Sequence, residues 1–146
     1  ARLAREIRRF ADDLGLTQLT VFLPSGTGAT ALYLQRHLDF TVATTPCVGD
    51  ADYLRRQFSL LQPDPASHPL VIEPPFRHVF GKLDETSLAI WRALKDETGI
   101  TFDLLYDPVG WRTLLCARLA SPVLYVHCGG VEGVASMLRR YRRKFA

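Results

Sequence analysis

Lysine is scarce in this chain of 146 residues: only Lys82, Lys95 and Lys144 stand among its 18 basic side chains. Chemistry that needs an amine nucleophile has three candidates, and none is well placed for it. Lys95 falls late in an expected amphipathic helix, and Lys144 in a basic tail. Lys82 sits in FGKLDE, just before a helix, with no strand end beside it. The three cysteines, Cys47, Cys116 and Cys128, are an odd number without C-x-x-C spacing. They suggest neither a disulfide framework nor a metal site, and fit a reducing cytoplasm. No apolar run approaches membrane-spanning length, so no membrane role is expected. A signal peptide, internal repeats and low-complexity tracts are lacking too. The chain begins with Ala rather than Met, and we expect it to be part of a longer one.

Net charge is +3, unevenly spread. Arg2, Arg5, Arg8 and Arg9 lie in the first expected helix, and Arg139, Arg140, Arg142, Arg143 and Lys144 crowd the last. Tyr141 alone stands inside the second run, which does not make a base-stacking platform. These runs therefore read as solvated helix faces, and no nucleic-acid partner is expected.

The most informative stretch present is Thr20 to Leu38, TVFLPSGTGATALYLQRHL. Thr20 to Leu23 carry the β-branched and aromatic signal of a strand, which Pro24 is expected to stop. Gly26 and Gly28 permit a tight turn, and Ala29 to Leu38 is built of helix formers. Such a helix points free N–H groups and its positive dipole end into the loop, where Ser25, Thr27 and Thr30 add hydroxyls. That makes Ser25, Gly26, Thr27, Gly28, Ala29 and Thr30 a candidate phosphate cup. An ordinary β-turn-α connection has the same pattern. The Lys-Ser/Thr of a nucleoside triphosphate loop is absent. The acid that a dinucleotide site places about twenty residues on is also missing, since Asp50 reads as a helix cap.

Along the chain, helices and strands alternate. Helices are expected at Ala1 to Leu14, Gly28–Leu38, Asp50–Leu61, Asp84–Glu97, Pro108–Leu119 and Glu132–Arg143. Strands are expected at Leu19–Leu23, Phe40–Thr45, Leu70–Ile72, Thr101–Tyr106 and Pro122–His127. This order predicts one α/β domain over residues 1–146, a three-layer α/β/α sandwich around a mostly parallel, Rossmann-like sheet. Ligands gather at the C-terminal ends of such strands. Those ends bring together Ser25–Thr30, Thr45–Gly49, Tyr106–Trp111 and His127–Gly130.

The pieces LPSGTGATALYLQ, ATTPCVGDADYLRRQF, FDLLYDPVGW and VLYVHCGGVEG occur in an order that resembles the 1-aminocyclopropane-1-carboxylate deaminase and D-cysteine desulfhydrase family. The resemblance runs from about Leu19 to the C-terminus. Its members are fold-type-II enzymes that use pyridoxal phosphate, and it implies that the Ser/Gly/Thr loop holds the cofactor phosphate. Cys128 stands where the family usually has Thr in His-Thr-Gly-Gly, and is implied to neighbour the cofactor. Tyr106, Trp111 and His127 are implied to lie near the substrate. Asp107-Pro108-Val109 matches the family, but Gly110 and Trp111 depart from its usual Tyr and acidic or hydroxyl residue. A ring nitrogen facing indole rather than carboxylate leans the reading toward β-elimination of a thiol-bearing amino acid. The Schiff-base lysine is expected upstream, in an N-terminal segment and small domain of the same chain. A small amino-acid substrate and a possible homodimer complete this expectation. The second reading is a non-catalytic α/β module that binds a phosphorylated metabolite or nucleotide through Ser25–Thr30.

Overall fold

A computed structural model describes residues 2–145. Ala1, where the first expected helix begins, lies outside the described residues. Six helices, α1 (Arg2–Asp13), α2 (Ala29–Gln35), α3 (Ala51–Leu61), α4 (Glu85–Thr98), α5 (Asp107–Cys116) and α6 (Val134–Phe145), surround four strands. The strands are β1 (Thr20–Ser25), β2 (Thr41–Pro46), β3 (Leu70–Val71) and β4 (Val123–Tyr125). They form one all-parallel sheet in the order β3-β2-β1-β4. The α/β/α sandwich is as expected.

Side-chain alternation builds the layers. Val21 and Leu23 of β1, Val42 of β2 and Leu124 of β4 face one way. They pack with Ala4, Ile7 and Ala11 of α1 and Ala31 and Leu34 of α2. Leu32, Leu54 and Phe58 extend that layer between α2 and α3. Phe22 and Tyr125 face the other way, their rings 5.9 Å apart. Trp91, Phe102, Leu104, Met137 and Tyr141 fill that second layer under α4, α5 and α6. Each such side chain, fully buried, contributes about 1.5–3 kcal/mol.

Two local readings change. Pro24 does not stop β1, which runs on to Ser25. Pairing with β4 ends at Phe22 and Tyr125, whereas pairing with β2 continues to Ser25 and Pro46. The missing N–H of Pro24 therefore falls on the side where the ladder has already ended.

The strand expected at Thr101–Tyr106 is not formed. Phe102 and Leu104 are buried as a strand would bury them, but side chains satisfy the backbone. The Asp103 carboxylate accepts the N–H groups of Leu105 (2.6 Å), Tyr106 (2.7 Å) and Asp107 (3.1 Å). The Asp107 carboxylate accepts the N–H of Asp103 at 2.9 Å. Aspartates that bond neighbouring backbone compete with a sheet ladder, and here they win. The other expected boundaries hold more closely: Asp50 caps α3 by accepting from Tyr53, and Gly99 ends α4 at φ 71°.

Asp103→Ala should lower stability on the order of 1–3 kcal/mol for each donor that stays dry. Urea denaturation measures it. A loss below about 1 kcal/mol would show that water replaces the carboxylate.

Candidate functional site

In the order β3-β2-β1-β4 the chain winds outward from β1 through β2 to β3, then returns to the other side of β1. The direction reverses between β1 and β4, and a crevice opens beyond the C-terminal ends of two such strands. A cleft of about 480 Å³ lies at the ends of β1 and β4. Ser25, Gly26, Thr27 and Thr30 line one side, Cys128, Gly129 and Gly130 another, and Asp103, Leu105 and Tyr106 a third. Val48 and Tyr53 contribute from the segment after β2.

The loop after β1 has the features of an anion cradle. Gly28 takes φ 78° at the head of α2, and no side chain caps that helix. Its first-turn N–H groups lack an internal acceptor. Thr27 and Thr30 are exposed. Ser25 is different: its Oγ lies buried, 2.6 Å from the Thr44 hydroxyl. It holds the loop to β2.

Gly26 and Gly28 have separate reasons. A Cβ on Gly26 would stand 3.4 Å from the Tyr106 hydroxyl, inside the cleft. A Cβ on Gly28 would collide with Phe58 and Leu54, on the side where α2 meets α3. Gly28 is needed by φ and by packing. Ala29 begins α2 and, like Gly28, is not a lining residue.

Two residues expected near the substrate lie elsewhere. Trp111 stacks on Tyr125 with centroids 4.5 Å apart and meets Phe102 edge-on at 5.8 Å. It belongs to the second core layer, with its Nε1 buried and unpartnered. His127 turns its ring behind the cleft wall, where Nε2 lies 2.9 Å from Asp107 Oδ2. Tyr106 lines the cleft and packs on Phe80 at 5.1 Å. That aromatic pair separates the cleft from a second cavity of about 330 Å³. Lys82 lines the second cavity, Lys95 lies over the Trp91 ring, and Lys144 donates to the Leu83 carbonyl. Among the described residues no lysine lines the cleft.

Lining residues that sequence reading missed include Asp103, Leu105 and Tyr53. Asp103 lies four residues before Asp107-Pro108, and an Asp just ahead of a Pro in a helix's first turn is a turn signal that was available. Behind it, Asp107 is fully buried and accepts from the Tyr125 hydroxyl at 2.7 Å. Burial, then the hydrogen bond with Asp103, push the Asp107 carboxyl up to about 8. Cys128 is exposed, yet partial desolvation and the charges of Asp107 and Asp103 push its thiol up to about 11. It stays a thiol at neutral pH. Asp103, Asp107 and His127 have metal-ligand chemistry and lie close together. Their donors and acceptors are already paired with one another and with backbone.

Against solved structures, the fold is similar to that of an ACC deaminase homologue, with a TM-score of 0.63 and 18% sequence identity. The match covers 82% of this chain and 43% of that one, so this chain spans less than half the neighbour's length. No protein-family model and no curated protein matches. The likeness establishes the fold.

Gly26→Val should leave the fold intact while filling the cleft against Tyr106. The expected result is an unchanged urea midpoint with at least tenfold weaker binding of inorganic phosphate, about 1.4 kcal/mol. Equal phosphate affinity in the variant would remove this loop from any anion site.

Proposed function

We propose that this chain is the cofactor-phosphate-binding portion of a pyridoxal-phosphate enzyme resembling the aminocyclopropane-carboxylate deaminases and D-cysteine desulfhydrases, acting on a small amino acid. The observation that carries the reading is the cleft at the reversal point between β1 and β4, lined by segments that follow β1, β2 and β4 together with the turn before α5. Support also comes from the fold shared with an ACC deaminase homologue, 43% of which the match covers. On this reading an N-terminal segment and a small domain of the same chain complete the site and bring the lysine.

The residues present fit the phosphate group. An uncapped helix start, a loop passing close beneath Tyr106 and the exposed hydroxyls of Thr27 and Thr30 suit a dianion. Cys128 to Gly130 line the same cleft of about 480 Å³. Pyridoxal phosphate, when bound, supplies an electron sink for carbanions next to an amino group. The chain's own part would be to hold the phosphate end through the 25–30 loop, with Cys128 to Gly130 and Tyr106 lining the rest of the cleft. Cys128 offers a neutral thiol rather than a charge.

The absence of a lysine from the cleft favours, as a second reading, a module that binds a phosphorylated metabolite or nucleotide without catalysis. One experiment separates the consequences. The chain is incubated with pyridoxal phosphate, reduced with borohydride and mapped. The expected result is saturable, phosphate-competed binding with no specific label at Lys82, and no turnover. Specific labelling of Lys82 in an active chain would overturn the fragment reading.

The substrate lean is tested in the longer protein that contains this chain. 2-Oxo acid release from D-cysteine should exceed that from 1-aminocyclopropane-1-carboxylate. The reverse order would reject β-elimination of a thiol as its principal reaction.

A further inference from the structure

Asp107 connects two walls of the cleft without lining it. Its Oδ1 accepts from the Tyr125 hydroxyl at 2.7 Å, and its Oδ2 accepts the Asp103 N–H at 2.9 Å. The same Oδ2 lies 2.9 Å from His127 Nε2, which also accepts the Asp103 N–H at 3.3 Å. Asp103 holds Leu105 and Tyr106, which form one wall. His127 begins the segment whose next residues, Cys128, Gly129 and Gly130, form another. Gly129 closes the circle: a Cβ there would collide with the Asp103 carboxylate.

We infer that Asp107 and His127 hold a single shared proton that fixes both walls, so that pH gates the shape of the cleft. With that proton present, one carboxylate, Asp103, faces a pair of no net charge. Without it, two buried carboxylates adjoin each other and repel, and the contact between the 103–107 turn and the 127–130 segment is what gives way. The consequence for ligands rests on the cleft being an anion site, as proposed above.

Every titratable group facing Asp107 is accounted for. Asp103 faces it from the turn, Tyr125 and His127 from β4 and its end, Cys128 from beyond, and Cys47 from the end of β2. Burial first, then the nearby carboxylates, push Tyr125 far up and keep it neutral. The Cys47 thiol is pushed up to about 12, chiefly by burial. The titration near pH 8 therefore belongs to the Asp107 carboxyl. A carboxyl raised from 3.8 to about 8 holds a proton in the folded chain that the unfolded chain has released. Stability falls as pH rises through that window and is flat above it.

Inorganic phosphate is the probe, because it is a dianion from about pH 7.5 to 9.5, where that carboxyl titrates and ordinary Tyr and Lys do not. Its dissociation constant should rise roughly tenfold per pH unit above about 8 in the native chain, and stay flat in Asp107→Asn. Parallel profiles in the two proteins would overturn the inference. A ligand-free readout stands beside this one. In Trp91→Phe, the remaining tryptophan, Trp111, is stacked on Tyr125 and should report a fluorescence step near pH 8. The Asp107 carboxyl carbon, followed by NMR, should shift in the same step. No step in either signal overturns the inference even if Asp107→Asn fails to fold. A step without phosphate binding at any pH supports the shared proton and rejects the anion reading of the cleft instead.

Discussion

The backbone between Gly99 and Asp107 must cross a buried layer without a strand partner. Phe102 and Leu104 enter the core there, and buried N–H groups left unpaired would cost on the order of 1–3 kcal/mol each. Two carboxylates meet the demand. Asp103 takes three N–H groups at the head of α5, and Asp107 returns the bond to Asp103. The rest of the C-terminal edge depends on this exchange. It sets the start of α5, aims Tyr106 over Gly26, and places a carboxylate under Gly129. The bond from Tyr125 to Asp107 then ties the turn to β4, and the stacking of Trp111 on Tyr125 packs that bond from the core side.

A carboxylate on the wall of an anion cleft is a conflict unless its charge is spent elsewhere. Asp103 lines the cleft, but both its oxygens already accept backbone N–H groups. The carboxyl behind it, Asp107, is held mainly protonated at neutral pH by burial and by Asp103 itself. Two adjacent acids thus present about one charge, and that one is hydrogen-bonded. The N–H groups that open α2 carry no side-chain cap. The arrangement that replaces the missing strand also keeps the cleft compatible with an anion.

Much of this was legible in the sequence because it rests on local rules. Asp50 and Gly99 mark the ends of α3 and α4 by capping chemistry, and both serve as read. Alternating apolar segments gave the parallel sheet, and the sheet gave the strand ends. The loop Ser25–Thr30, Tyr106 and Cys128 to Gly130 therefore meet where topology puts them, with Val48 from the end of β2. What failed was non-local. Thr101–Tyr106 has the composition of a strand, but its fate turned on which acceptors its N–H groups found. Pro24 looked like a stop because the sequence does not show that β4 pairs only as far as Phe22. Gly28 looked like a site of ligand approach, whereas Phe58, thirty residues on, forbids a side chain there.

Trp111 shows most clearly why residue type alone misleads at a site. It follows a family-like Asp-Pro-Val at a position that would face a cofactor ring in the resembling enzymes. Here Gly110 precedes it, and a Cβ on Gly110 would press against the Tyr125 hydroxyl and Pro24. That missing side chain lets the Tyr125 hydroxyl reach Asp107, and Trp111 stacks on the ring so placed. The two departures from the family pattern, Gly110 and Trp111, are thus one change in packing rather than two changes in chemistry. They exchange side chains that could have faced the cleft for a buried bond that braces it from behind. The acid nearest the cleft becomes Asp103, whose position the fold dictates and whose oxygens the backbone already occupies. The groups that the walls leave neutral at pH 7 are Cys128, Tyr106 and the Asp107 carboxyl behind them.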